Sequence, residues 1–379
     1  MFWQREYVRE NIALAVAGTY KLDLPEFGLL GSLMIRITGT QAAGQGLGGY
    51  DWRIVDKISK ITVLLNGATI AKSLTGFEAQ ALAVHDQGVM PPSEWKNGNL
   101  EMQSEYFLIN FGRYLFDNEV GLDLAKFKNV ELQVENTATV ATYSDLTISI
   151  LGFYMRDPLT PSFAGFMRSE EWRSWATAPD LTAYNDLPTE YPLRRIMVQA
   201  IPALPAAGGS GIEITGLHNL MDDISLSLDT GVIRVWKGGL DDLIRENYLD
   251  MGKVLISTGA AYRTAKHGIQ TSLGLVLGGA TSQLSDTGAA PATLASLEAD
   301  RNSSTQNPTS YELSQYLGFV FVGLAPFATG LFRFDYDYNP SSWLDPNVRK
   351  TVKLDIHSRN HVDVTAGRAA IVLDRFVRV

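Results

Sequence analysis

The sequence predicts an all-β chain of two tandem β-sandwiches with a few short helices. Three observations carry that expectation. Hydrophobic residues alternate with a period of two far more often than 3.6. The alternating runs are short and bounded by turn residues. Several blocks also recur in the same order in both halves. With 379 residues, each half is long enough to bury a core without metals or disulfides.

In the first half, residues 33–38 and 58–65 read as strands, and the second of these meets Asn66-Gly67 before residues 68–72. Both turn residues tolerate positive φ, so the pair is a strong hairpin signal. Further strands are expected at 106–111, 130–134 and 146–154. In the last, Leu146, Ile148 and Ile150 alternate with Thr147 and Ser149, as in a half-buried strand. The second half repeats this grammar at 195–201, 212–215, 224–228, 232–236, 254–258, 318–322, 331–336, 352–356 and 369–377. Helical patterning is confined to 76–85 and 240–251, with a short piece at 170–175 that Ser169 is expected to cap.

The repeats set the domain division. Asp56-Lys57-Ile58-Ser59 opens a hairpin that ends at Thr75-Gly76 and enters a helix; Asp222-Asp223-Ile224-Ser225 opens one that ends at Gly238-Gly239 and does the same. Near each end, Val130-Glu131-Leu132-Gln133-Val134 and Val352-Lys353-Leu354-Asp355-Ile356 each precede a loop and a closing strand. The expected layout is an N-terminal arm (1–14), a first sandwich (15–157), an inter-domain linker (158–189) and a second sandwich (190–379). Pro158, Pro161, Pro179 and Pro188 punctuate the linker. Residues 277–310, rich in Gly, Ala, Ser, Thr and Asn, read as a long protruding loop of the second sandwich. It contains a glycosylation sequon at Asn302.

Composition excludes several function classes. The net charge is −9 with no run of Lys or Arg, so no sequence-specific nucleic-acid face is expected. The chain has no cysteine, which removes thiol catalysis, disulfide frameworks and cysteine metal sites. No apolar stretch is long enough for a transmembrane helix, and the run at 12–17 is too short and wrongly flanked for a signal peptide.

No catalytic, cofactor-binding or metal-ligating residue is expected. Of the five histidines, His85, His218 and His267 stand apart, while His357 and His361 are spaced like ligands on a helix but fall in a turn between strands. Asp335-Tyr336-Asp337-Tyr338-Asn339 has the composition of a calcium or sugar site, yet reads better as a strand end entering the Pro340 turn. Gly44-Gln45-Gly46-Leu47-Gly48-Gly49 lacks the Lys-Ser/Thr of a phosphate loop. The tryptophans, at 3, 52, 95, 172, 175, 236 and 343, are expected in cores or subunit contacts.

Two sandwiches of this size, each with a hairpin feeding a short helix (residues 58–76 and 224–239 with the helices that follow), and the closing strands of each half resemble the double jelly-roll major capsid proteins. These belong to the adenovirus-like lineage of icosahedral, often membrane-containing viruses, and the compact size is similar to the smaller bacterial and archaeal virus members. The resemblance spans nearly the whole chain and is architectural, since the family has no diagnostic motif. It implies two tandem jelly rolls and a homotrimer whose six jelly rolls make a pseudo-hexagonal capsomer. It also implies a place in the virion shell after synthesis in the host cytoplasm, no enzymatic activity, and no cofactor. Implied partners are neighbouring capsomers, penton and minor capsid proteins, and an internal membrane reached through the N-terminal arm. Some members carry a basic C-terminal tail, which Arg375-Phe376-Val377-Arg378-Val379 does not match. The alternative is a carbohydrate-binding or carbohydrate-active β-sandwich protein, a lectin or glycosidase, and a third option is a pilus or tail-spike component.

Overall fold

A computed structural model describes residues 1–42, 54–94, 96–97, 100, 102–157, 162–201, 220–263, 269–270, 273–284, 295–296, 305–306, 315–327, 329–336, 338–360 and 367–379. The first half contributes β1 (Phe2–Ala13), β2 (Gly18–Asp23), β3 (Leu29–Gln41), β4 (Ile58–Leu65), β5 (Thr69–Leu74), β6 (Lys96–Asn97), β7 (Met102–Asn110), β8 (Leu122–Asp123), β9 (Val130–Asn136) and β10 (Tyr143–Arg156). The second contributes β11 (Gly165–Ala176), β12 (Thr182–Asp186), β13 (Leu193–Ile201), β14 (Met221–Leu228), β15 (Ile233–Gly238) and β16 (Leu255–Arg263). It continues with β17 (Ile269–Gln270), β18 (Leu273–Leu284), β19 (Ala295–Ser296), β20 (Thr305–Gln306), β21 (Gln315–Pro326), β22 (Thr329–Arg333), β23 (Val352–Ser358) and β24 (Arg368–Arg378). The α-helices are α1 (Ile54–Lys57), α2 (Gly76–Gln87) and α3 (Leu240–Met251).

The duplication is written in the strand order. One sheet of the first half runs β1-β10-β3-β7, and its counterpart in the second half runs β11-β24-β13-β22. The opposing layer runs β2-β9-β4-β5 in the first half and β12-β23-β14-β15 in the second. Each half is therefore a jelly-roll sandwich, and each hairpin, β4-β5 or β14-β15, feeds a 12-residue helix. Both helices stop at a left-handed glycine, Gly88 (φ 70°) and Gly252 (φ 66°), where a Cβ would be strained. At the first hairpin Asn66 and Gly67 both have positive φ, as the sequence requires.

Alternation builds two cores. In the first, Leu33, Ile35 and Ile37 of β3 face Ile61, Val63 and Leu65 of β4 and Leu132 and Val134 of β9. In the second, Ile196 and Val198 of β13 and Ile371 and Leu373 of β24 face Ile224 and Leu226 of β14 and Leu354 and Ile356 of β23. The halves are not separate beads. Strand β11 pairs antiparallel with β24 and parallel with β5, so the layers β2-β9-β4-β5 and β11-β24-β13-β22 form one eight-stranded sheet. Strands β13 and β24 are consequently buried on both faces, with Met197 and Val372 joining the first core.

Several expectations are corrected. Residues 170–175 are not a helix: they lie in β11, where the ladder to β24 holds them extended, and the buried Phe166 and Met167 come just before them. The expected arm is the edge strand β1, paired with β10 through the register Phe2↔Arg156 to Ala13↔Thr147. The expected linker holds β11 and β12, which stand where β1 and β2 stand in the first half. Residues 277–284 of the expected loop are the end of β18, which runs antiparallel to β21 in an additional sheet ordered β19-β18-β21-β16-β6. Small side chains suggested a loop because composition cannot register the ladder that β21 supplies. The expected strand at 212–215 and the glycine run at 44–49 lie outside the described residues.

Gly76 marks where the two halves differ locally. A Cβ there would lie 2.6 Å from the Val55 carbonyl oxygen of α1, backbone that cannot step aside. Leu240 takes the first position of α3. Gly76→Ala is expected to lower unfolding free energy by about 1–3 kcal/mol through this overlap, read by chemical denaturation; an unchanged midpoint contradicts the packing described.

Candidate functional site: a buried charge junction between the halves

The elements that join the two sandwiches place charged side chains in the buried interior. Strand β5 supplies Lys72, β11 supplies Ser169 and Glu170, β13 supplies Arg194 and Arg195, β24 supplies Asp374 and Arg375, and the end of α2 supplies Asp86. Lys72 Nζ donates to Ser169 Oγ at 2.7 Å, and Ser169 donates to Asp374 Oδ1 at 2.6 Å. The other oxygen of Asp374 accepts from Arg195 Nε at 2.8 Å and Arg194 Nη1 at 3.2 Å. Asp86 Oδ1 bridges Arg195 Nη1 at 2.8 Å and Arg194 Nη1 at 3.1 Å. Arg194 Nε reaches Asp335 at 2.5 Å, and its Nη2 donates to the Arg113 carbonyl at 2.6 Å. Three buried cations thus alternate with three buried carboxylates, which is how low-dielectric protein tolerates charge.

Flanking pairs extend the junction. Arg113 grips Asp117 through Nε at 2.7 Å and Nη2 at 2.8 Å, and its Nη1 donates to the Tyr338 carbonyl at 2.6 Å. Buried Arg375 pairs with Glu170. Arg368 of β24 links Glu78 of α2 to Glu171 of β11. Glu78 has a second role, accepting from the Thr75 backbone N–H while Thr75 Oγ1 accepts from the Glu78 N–H, a capping box that starts α2. Arg333 joins Asp335 to Asp250 of α3.

Burial and neighbouring charge set the protonation states. Burial lowers the Lys72 ammonium to about 8, with Asp374 and Asp86 opposing that fall. Burial works to raise the Asp374 carboxyl, but Arg195, Arg194 and Lys72 outweigh it and hold it below the ordinary carboxylate value. Burial also lowers His85 to about 3, so its ring is neutral. Its Nε2 sits 2.9 Å from Thr329 Oγ1, whose hydroxyl donates to the Pro326 carbonyl; the ring therefore donates from Nε2. Lys72 and Ser169 are a base and a hydroxyl in contact, but both are buried along with Asp374, and the network they belong to ties strands of one sandwich to strands of the other.

The residues weighed in the sequence lie elsewhere or serve packing. His357 sits between Asp222 at 2.6 Å and Asp180 at 3.2 Å, and the hydrogen bond to Asp222, aided by that to Asp180, raises its pKa. His218, His267, His361 and Asn302 lie outside the described residues, and no group able to hold a metal ion occurs among the described ones. Asp335 is committed to Arg194 rather than to a calcium site. Trp343 is buried edge-on to Phe376, Trp236 meets Phe332, Trp3 packs on Phe116, and Trp172 is exposed. Sequence reasoning missed the junction, although Arg194-Arg195 and Asp374-Arg375, charges set inside otherwise apolar strands, were its visible signal.

This junction belongs to a double jelly-roll fold, two sandwiches of equal strand order fused through one sheet. The chain is similar over 99% of its length to a chain of the Sulfolobus turreted icosahedral virus atomic structure (TM-score 0.61, 11% identity, 91% of that chain). It is likewise similar to the PBCV-1 virus capsid (TM-score 0.57, 10% identity, 99% of this chain and 94% of that one). The major capsid protein P2 of bacteriophage PM2 matches with TM-score 0.51 and 9% identity, over 99% of this chain and 98% of that one. No family model matches the sequence, and no curated protein matches it either.

Two outcomes test the junction. Asp374→Ala leaves buried guanidinium groups uncompensated and is expected to cost about 3–5 kcal/mol in chemical denaturation, whereas Lys72→Met, which exchanges one buried cation for an apolar chain, costs clearly less. Acid is expected to destabilise the fold. The folded value of His85 lies below its ordinary 6.5, so its contribution is complete above that pH and lost as pH falls toward about 3. Asp374, also lowered, acts in the same direction. The melting temperature should fall across this window, and less steeply in His85→Gln; a flat profile contradicts the assignment.

Proposed function

We propose that this chain is the major capsid protein of an icosahedral virus, a structural subunit that works by packing and carries out no catalysis. The observation that carries the reading is the pairing of two jelly rolls in one chain, aligned end to end with viral capsid proteins at 99% coverage. Its partners are copies of itself, as homotrimers that place six jelly rolls in a pseudo-hexagonal capsomer, and then neighbouring capsomers with penton and minor capsid proteins. Its place is the virion shell. Under this reading the chain divides near residues 157–164, giving β1–β10 to the first jelly roll and β11–β24 to the second.

A fused pair of similar domains explains why a threefold assembly can fill a six-cornered tile with one gene product. Purified protein in light scattering is expected to show three times the mass of one chain, and negative-stain images should show six-lobed particles that assemble into closed shells. A lasting monomer without shells overturns the proposal. Fibres would point to a pilus or tail-spike component, and glycan binding abolished by Trp172→Ala would point to a lectin.

A further inference from the structure

Strand β16, in the additional sheet, has one edge that the chain leaves open. Residues 255–263 pair with β21 on one side, but on the other β6 reaches only Ala260 and Ala261, in parallel. Among the described residues, none pairs with the outer edge of β16 before Ala260. A slot of about 320 Å³ lies along that edge, lined by residues 254–258 and by the stretch from Gly88 to Ser93 that leads toward β6.

The sequence explains why that stretch does not close the ladder. Pro91 and Pro92 have no N–H to give, and the Ser93 N–H is spent on the Pro91 carbonyl at 2.8 Å. Glu94 exchanges both of its backbone bonds with Ser104 of β7, at 2.8 and 3.1 Å. The approach to β6 is thus tied to the first half and held off β16.

The lining defines what fits. An open strand edge offers donors and acceptors at the strand repeat, and another extended backbone is what matches them. The side chains beside the edge are β-branched and open, with Ile256 55% and Val254 42% exposed, and Val320 of β21 sits opposite Thr258. An added strand therefore has apolar surface to cover. Gln80, a buried side chain in the lining, donates its amide N–H groups to Glu105 at 2.9 Å and the Tyr106 carbonyl at 3.0 Å, and its carbonyl oxygen accepts from no described residue. Lys253 lies against Gly88 at one end of the slot, without an ion pair among the described residues.

We propose that the slot receives an extended segment of a different protein, which adds a strand to β16 at residues 254–258 and sets an acidic side chain beside Lys253. The occupant is recognised mainly through its backbone, with alternate β-branched side chains resting on Val254 and Ile256.

Random heptapeptides displayed on phage and panned on the purified full-length chain are the probe. Selected peptides are expected to alternate β-branched residues, to end in Asp or Glu, and to slow amide exchange at residues 254–258. N-methylating alternate amides removes backbone donors and keeps the side chains; one of the two methylation registers is expected to weaken binding at least about tenfold, the other little. Lys253→Glu, with an unchanged melting temperature, should reverse the preference from an acidic to a basic end. No enrichment, equal binding by both methylated registers, or protection of other residues overturns the proposal. So does protection of 254–258 that grows with protein concentration when no peptide is present, which assigns the edge to a second copy. None of these outcomes bears on the capsid reading.

Discussion

The structure depends on one seam, the place where β11 leaves the first sandwich behind and lies down beside β5. Asp374 sits at its centre, on the strand that pairs with both β11 and β13, and it binds Ser169, Arg195 and Arg194 at once. Moving one sandwich against the other would separate these charges in a medium that screens them poorly. Replacing a buried ionic cluster by apolar side chains is often neutral or stabilising, so its role here is better understood as specification of register than as a source of stability. An apolar seam would hold the sheets together over several offsets; alternating cations and carboxylates accept one.

That seam breaks the symmetry of the duplication. Helices α2 and α3 have the same length and the same left-handed glycine stop, yet α2 is built from small residues (Ala79, Ala81, Ala83) that let it sit deep between the halves. Helix α3 is amphipathic, burying one stripe and presenting acidic residues on the rest. Strand β13 shows the same influence. Its neighbours on both faces are cores, so it reads as a continuous buried run instead of an alternating one. The additional sheet of β16, β18 and β21 lies between α3 and β22 in chain order, the position where β6 lies between α2 and β7. It grows from the same point of the repeated plan and recruits β6 through a parallel pairing at Ala260↔Lys96.

His85 and Lys72, both lowered by burial, and Asp374, held down by neighbouring cations, lie in the seam and face opposite charges or hydroxyls, while Tyr154 on β10 is raised to about 12 by burial away from it. Perturbed ionisation is often a mark of an active site, but structural ion networks produce it equally. Among the described residues, the free edges of β1 and β15 and the outer face of α3 expose apolar side chains, which suits contact with another folded surface.

Alternation of period two determined most of the strands by itself, because a residue such as Ile35 or Leu354 faces a core only if its neighbours face away. The Asn66-Gly67 turn, the helix over Leu240–Met251 and the existence of two copies were legible for the same reason: each is a local rule of backbone geometry or a repeat of one. What the sequence could not decide was partnership. Residues 170–175 contain no signal that β24 will hold them extended, the small residues 277–284 at the end of β18 contain none that β21 will pair with them, and Arg194, Arg195 and Asp374 are 180 positions apart at most in the chain before folding makes them neighbours. Long-range ladders and buried ion clusters are properties of which segments meet. Only the tertiary structure settles that, because the free energy of a paired strand or a compensated charge belongs to both partners and is written in neither alone.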